Sequence, residues 1–331
     1  MRAPRAQRQR GVAVITALLL TTLAVTIVAS LFWQQQVQVR SMENQRLHQQ
    51  TKWITLGAID LARFWLRQED ARQTRLDATW ATPVEETNLD QFVERERVEG
   101  DNYAATLSGR VTDAQGRYNL NNLAKNRVVD AAQAEVFGRL LGNVQIDPAL
   151  AKVAAQAVAE TQTASAPAPA PDGGKAPSND AAAPAAAAQG GREPMDFTQI
   201  EDLLSVPGFT PQALERLREF IIVLPDGGVT AINVNTAPAE VLAAAVNMSL
   251  AEAGALVTNR LRKPFNGMGD FNALIEGHKL LLPTAAIDIK SGYFLVASQV
   301  RLDRARLDTQ ALLRRENTPQ KTMTLVWMRE N

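Results

Sequence analysis

The chain has 331 residues, 46% of them apolar, which suffices for a packed core in one or two domains. It has no cysteine, which excludes disulfides and thiolate metal sites, and its only histidines are His48 and His278. Formal charge is zero, but four arginines lie in the first ten positions; beyond residue 11 the balance is 31 basic to 35 acidic residues, which leaves no basic footprint for a polyanionic partner.

Arg2, Arg5, Arg8 and Arg10 precede Gly11, and Val12–Trp33 then runs for 22 residues without a charge. A secretory signal peptide would have an apolar stretch of roughly 7–15 residues followed by a small-residue cleavage site. Here the glycine precedes the apolar stretch, so cleavage after it leaves the hydrophobic helix on the mature chain, a layout that resembles type IV prepilins. At roughly 1.5 Å per residue the segment is about 33 Å long, matching a hydrocarbon core of about 30 Å. Four arginines crowd the ten residues on its N-terminal side, whereas the first basic residue on the other side is Arg40, a bias that predicts a cytoplasmic N-terminus and a single crossing. An ordinary signal anchor shares that topology; the glycine set directly against the apolar run separates the two.

The helix is expected to continue past the membrane. No proline occurs between Gly11 and Pro83, and Gly57 is the only interior glycine of the stretch up to Arg67. Ile54, Ala58, Leu61, Ala62 and Trp65 recur at helical spacing, which predicts one helix of about sixty residues, roughly 90 Å long, with an apolar stripe on a soluble domain.

Tyr103–Thr112 alternates, with Tyr103, Ala105, Leu107 and Val111 on one face, and reads as a half-buried strand. Asp113–Gly116 reads as a hairpin turn with Arg117–Leu120 returning. Strand patterns resume at Tyr293–Leu302, Leu307–Leu313 and Thr322–Met328. The fold class is therefore α+β: a long N-terminal transmembrane helix packed on an antiparallel sheet, split by a large inserted α-helical domain. Residues 161–194 are dominated by Ala, Pro, Gly, Ser and Asp and read as a disordered linker within the insert. Residues 195–282 read as helix-hairpin-helix-like, centred on Leu203–Leu217 with a Pro207-Gly208 turn. Such turns can hold a nucleic-acid phosphate, but Asp196–Leu282 carries six basic and ten acidic residues, which argues against nucleic acid. Asn233, Asn235 and Thr236 precede Pro238 and a helical run, and read as turn and N-cap residues.

No catalytic set is visible: there is no G-x-S-x-G, no Gly-rich phosphate loop and no H-E-x-x-H. The chain is therefore not expected to be an enzyme. Asp288, Asp303 and Asp308 flank the late strands and read as surface carboxylates; no metal ligands are nominated.

Five segments in order, RGVAVITALLL (Arg10–Leu20), GRYNLNNLA (Gly116–Ala124), INVNTAPAEVL (Ile232–Leu242), KPFNGMGDF (Lys263–Phe271) and SGYFLVASQVRL (Ser291–Leu302), resemble the type II secretion minor pseudopilin K family. The resemblance covers essentially the whole chain and implies a type IV pilin-like fold. It divides the chain into a leader (1–11), the transmembrane half of the helix (12–33), a periplasmic helix with first strands (34–120), the inserted domain (121–290) and C-terminal strands (291–331). It implies cleavage after Gly11 by a prepilin peptidase and N-methylation of Val12. Most pilin-like subunits carry glutamate at the fifth mature residue; here that position is Thr16, which cannot ionise and marks a subunit with none above it, at the tip. The implied partners are other minor pseudopilins in a tip heterocomplex, the peptidase and the inner-membrane secretion platform. The implied location is the inner membrane, with the globular part periplasmic. Calcium is the one cofactor that family members suggest. A minor pilin of a type IV pilus is the alternative reading.

Overall fold

The computed structural model describes residues 10–89, 105–162, 196–225, 229–316 and 321–330. The leader up to residue 9, Tyr103 and almost all of the expected linker lie outside them; Thr161 closes a helix. Helix α1 runs unbroken from Arg10 to Gln68, 59 residues. From Val14 to Arg46 it is exposed throughout, and from Leu47 onward it buries a single face: Leu47, Thr51, Thr55, Ile59, Ala62 and Leu66. That spacing is the 3.6-residue period of a helix lying on a sheet.

The expected stripe was displaced. Leu61 is exposed, and Ile54, Ala58 and Trp65 are half-buried. Two places of the true face are taken by threonines, which the apolar pattern passes over. Their hydroxyls donate to the carbonyls of Leu47 and Thr51, four residues back, so they present only a methyl group to the sheet.

The sheet is antiparallel, with its strands in the order Val84–Asn88, Ala105–Asp113, Tyr293–Leu302, Ala305–Arg315 and Met323–Glu330. Strand β1 (Val84–Asn88) pairs with β2 (Ala105–Asp113). The chain then leaves the sheet for an insert. Its first elements are the short strands β3 (Tyr118–Asn119), β4 (Ala124–Lys125) and β5 (Val128–Val129), then helices α2 (Ala131–Asn143) and α3 (Leu150–Thr161). Helix α4 (Pro211–Leu217) leads to β6 (Ile221–Ile222) and β7 (Ile232–Asn233). Helices α5 (Ala239–Val246), α6 (Leu250–Arg262) and α7 (Met268–Leu274) and strand β8 (Ile287–Asp288) complete it. The sheet resumes with β9 (Tyr293–Leu302), β10 (Ala305–Arg315) and β11 (Met323–Glu330). The insert separates β2 from β9, yet these two strands pair along nine residues, from Ala105↔Leu302 to Asp113↔Phe294.

Alternation along the strands divides their side chains between two layers. Phe294, Val296, Ala311 and Leu313 face α1, where they meet Ile59, Ala62, Leu66 and Trp80. Tyr293, Leu295 and Leu312 face the other way and meet Ala114, Ile222 and Leu224 at the edge of the insert. The insert has its own core, in which Tyr118 stacks on Phe137 at 5.5 Å between ring centroids.

Two local readings are corrected. Asp113–Gly116 does not turn β2 back on itself. The Asp113 carboxylate accepts from the Gln115 amide and starts a 3-10 turn, and Tyr118–Asn119 then pairs in parallel with Ile221–Ile222. The first arm of the helical hairpin is a 3-10 helix, Ile200–Ser205, and only its second arm, α4, is an α-helix. Thr210 caps α4 with its hydroxyl, and Pro211 opens it.

Candidate functional site

Two regions carry the functional argument: the bare half of α1, and the junction that fixes α1, sheet and insert to one another. In the first, an 18-residue window of mean hydropathy 2.4 is wholly unburied, so the helix is long and apolar enough to cross a membrane. The hydroxyls of Thr21, Thr22 and Thr26 donate to helix carbonyls three or four residues back, which removes their polar cost in lipid. Trp33, 74% exposed, ends the apolar run ahead of Gln34, Gln35 and Gln36. Gly11 and Val12 lie in the first turn of α1, and Thr16 lies one turn further on, in the exposed half.

The far end of α1 is held by cations, as the negative end of a helix dipole favours. Arg315 donates to the Leu66 carbonyl at 3.2 Å, and Lys321 donates to that of Glu69 at 2.6 Å. Arg315 also lies over the Phe294 ring, 4.8 Å from its centroid. Nearer the exposed half of α1, Arg304 at the β9–β10 turn donates to Glu43 at 3.1 Å and to Asn44 at 3.0 Å.

The junction centres on Asp113, which is buried. Its Oδ2 accepts from Asn233 Nδ2 (2.8 Å), Thr236 Oγ1 (2.6 Å) and Ser291 Oγ (2.6 Å), and its Oδ1 accepts from the Gln115 amide (2.9 Å). Asn233 Nδ2 reaches on to the Thr74 carbonyl, and the Ser291 amide donates to Thr74 Oγ1. One carboxylate thus ties the end of β2, both flanks of the insert and the segment after α1. Burial pushes the Asp113 carboxyl above its ordinary value, against the pull of these hydrogen bonds. Beside it, the Gln115 carbonyl accepts from the Gly292 and Tyr293 amides while its NH2 donates to the Ala231 carbonyl.

The expected cap at Thr236 is therefore a correction. Pro238 holds the N-cap of α5 without a side-chain bond, and the Thr236 hydroxyl goes to Asp113. Asn233 does make a turn, accepting from the Asn235 amide. Asn235 in turn exchanges two bonds with the Phe265 backbone. Sequence patterns missed this junction because Asp113 lies more than a hundred residues from Asn233, Thr236 and Ser291; the only local signal was the pair Asn233 and Asn235 in INVNTA.

Arg218, beside the Pro207-Gly208 hairpin, is engaged by Glu215 and Glu201, whose hydrogen bonds push its guanidinium up. His48 is exposed, and His278 lies 3.8 Å from Glu252. Asp308 pairs with Arg306 and Asp288 with Lys290. Among the described residues no three carboxylate or histidine side chains converge, so these residues do not form a carboxylate cluster for calcium.

Two models described as type II secretion system, protein K, match residues 116–226 and 232–290, together just over half of the chain. The chain belongs to the type II secretion system protein K family. A Pseudomonas aeruginosa protein named type II secretion system protein K is 37% identical over 131 residues, covering 37% of this chain. That match spans 35% of the relative's own length. Among solved structures, the GspK-GspI-GspJ complex from the enterotoxigenic Escherichia coli type 2 secretion system includes a chain similar to this family member. The TM-score is 0.60 at 16% identity, covering 88% of this chain and 99% of that one. At that identity the likeness is one of fold alone.

Proposed function

We propose that this protein is a minor pseudopilin of the type II secretion system. The observation that carries the reading is the continuity of α1. One helix supplies a bare apolar half fit for a bilayer and a half locked onto a globular head, in a chain of the protein K family. Prepilin peptidase cuts after Gly11, and Val12 becomes the methylated N-terminus. The chain sits in the inner membrane through residues 12–33, with the head formed by 34–120 and 291–331 and the inserted domain 121–290 in the periplasm. Its role is structural, not enzymatic. It joins other minor pseudopilins through the exposed half of α1, whose small residues suit close helix packing in lipid, and works on the inner-membrane secretion platform. Thr16 offers no carboxylate to an ammonium above it, which suits the tip of the pseudopilus; a lone charge there would be costly in lipid.

The test is complementation of a strain lacking this chain, scored by release of folded exported proteins into the medium. The intact chain is expected to restore release, and Gly11→Val is expected to leave the exported proteins in the periplasm. Full release by the uncleaved variant would overturn the reading.

A further inference from the structure

We propose that the stem and the head of this protein together build a binding site for the phosphate of an anionic phospholipid at the outer surface of the membrane; the proposal rests on the membrane reading of α1. Arg40, Glu43 and Asn44 of the helix and Arg304 of the β9–β10 turn line one open concavity. Arg304 is held there by its bonds to Glu43 and Asn44, and Arg40 makes no ion pair among the described residues. The lining carries two guanidinium groups against one carboxylate; Asp303 in the same turn balances the formal charge but does not line the concavity, and Arg40 is the guanidinium left to receive an anion. Guanidinium groups suit phosphate because they offer paired donors in a fixed fork.

The position along α1 selects a lipid. Trp33 ends the apolar run, ahead of Gln34, Gln35 and Gln36, and tryptophan favours the membrane interface. Arg40 lies seven residues beyond it, about 10 Å along the helix axis, and headgroups extend roughly 5–8 Å past the hydrocarbon. An arginine side chain spans that difference, and long basic side chains bend back toward the interface. Arg304 faces the same space from the head, so a bound headgroup would touch both parts of the molecule and set the height of the head above the bilayer.

The test uses the full chain in mild detergent with equal amounts of phosphatidylglycerol and phosphatidylcholine, and native mass spectrometry to count retained lipids. A single guanidinium left to meet a charged headgroup, that of Arg40, corresponds to roughly fivefold retention of phosphatidylglycerol over phosphatidylcholine. The double variant Arg40→Gln, Arg304→Gln is expected to lose the preference, and Glu43→Gln to raise it. Equal retention by the wild type, or an unchanged preference in the double variant, would overturn the site. So would a parallel loss in Glu43→Gln and Arg304→Gln, because an ion pair that only holds the hairpin predicts that pattern. Displacement of the lipid by millimolar inorganic phosphate would assign the concavity to a free anion and overturn the lipid assignment. Alkaline extraction of the chain from vesicles separates the two levels. A chain that extracts refutes the anchor, whereas a retained chain without lipid preference refutes only the arginine site.

Discussion

Replacing Asp113 by alanine removes the acceptor shared by Asn233, Thr236, Ser291 and the Gln115 amide. All but Thr236, which is half-buried, lie out of water, so the abandoned donors find few replacements. Removing one member of a buried charged network costs about 3–5 kcal/mol, and the relief of carboxylate burial keeps the value toward the lower end. A protein of this size loses about 2–4 °C of melting temperature per kcal/mol, so the shift is on the order of 10 °C. The assay is thermal unfolding of the full chain in detergent by near-ultraviolet circular dichroism. Trp80, buried edge-on against Phe294, reports the sheet core. Asp113→Asn sharpens the test. Whichever way its amide turns, an NH2 group faces either Asn233 Nδ2 or the Gln115 amide, so a near-isosteric change still costs about 1–3 kcal/mol. A shift below about 2 °C for alanine would refute the idea that Asp113 organises the junction. A neutral effect of asparagine alone would show that the carboxyl is already protonated.

Other expectations concern pH and two glycines. Because the Asp113 value is raised in the fold, its contribution is fully present below the ordinary carboxylate range and is lost as pH rises through the raised value. Melting temperature measured against pH should show that fall in the wild type and not in Asp113→Asn. Asp70, Glu252 and Asp308 are lowered by hydrogen bonds from Arg72, Ser249 and Arg306 and act in the opposite sense, but they sit near the surface in both proteins, so the difference isolates Asp113. Gly208 has φ +99°, and an added Cβ would stand 2.4 Å from Leu150 Cδ2, so Gly208→Ala should destabilise by about 1–3 kcal/mol in urea unfolding. Gly254 lies inside α6 with open space around it, so Gly254→Ala should stabilise by about 0.5–1 kcal/mol in the same assay.

Features set by neighbours in sequence were legible, and those set by distant partners were not. The absence of proline between Gly11 and Pro83 foretold α1 along its whole length. Period-two alternation placed β9, β10 and β11 within two residues of their ends. Strand β1 was missed because VEETN has no apolar alternation; it is an exposed edge strand whose register comes from β2. The false hairpin at Asp113–Gly116 had the composition of a turn, but the partner of Tyr118–Asn119 lies a hundred residues away in Ile221–Ile222. Thr236 had the chemistry of a helix cap, and its hydroxyl instead went to a carboxylate 123 residues distant. Polar residues pair wherever the fold leaves a buried partner, and periodicity carries no record of that.

The central claim is that Gly11 marks a processing site, leaving α1 as the N-terminus of the mature subunit. Intact-mass analysis of the chain expressed with and without a prepilin peptidase tests it most directly. Loss of Met1–Gly11 only when the peptidase is present, with one added methyl group on Val12, is the predicted result. An uncut chain, or a cut near Ser30 that removes the apolar helix, would contradict it.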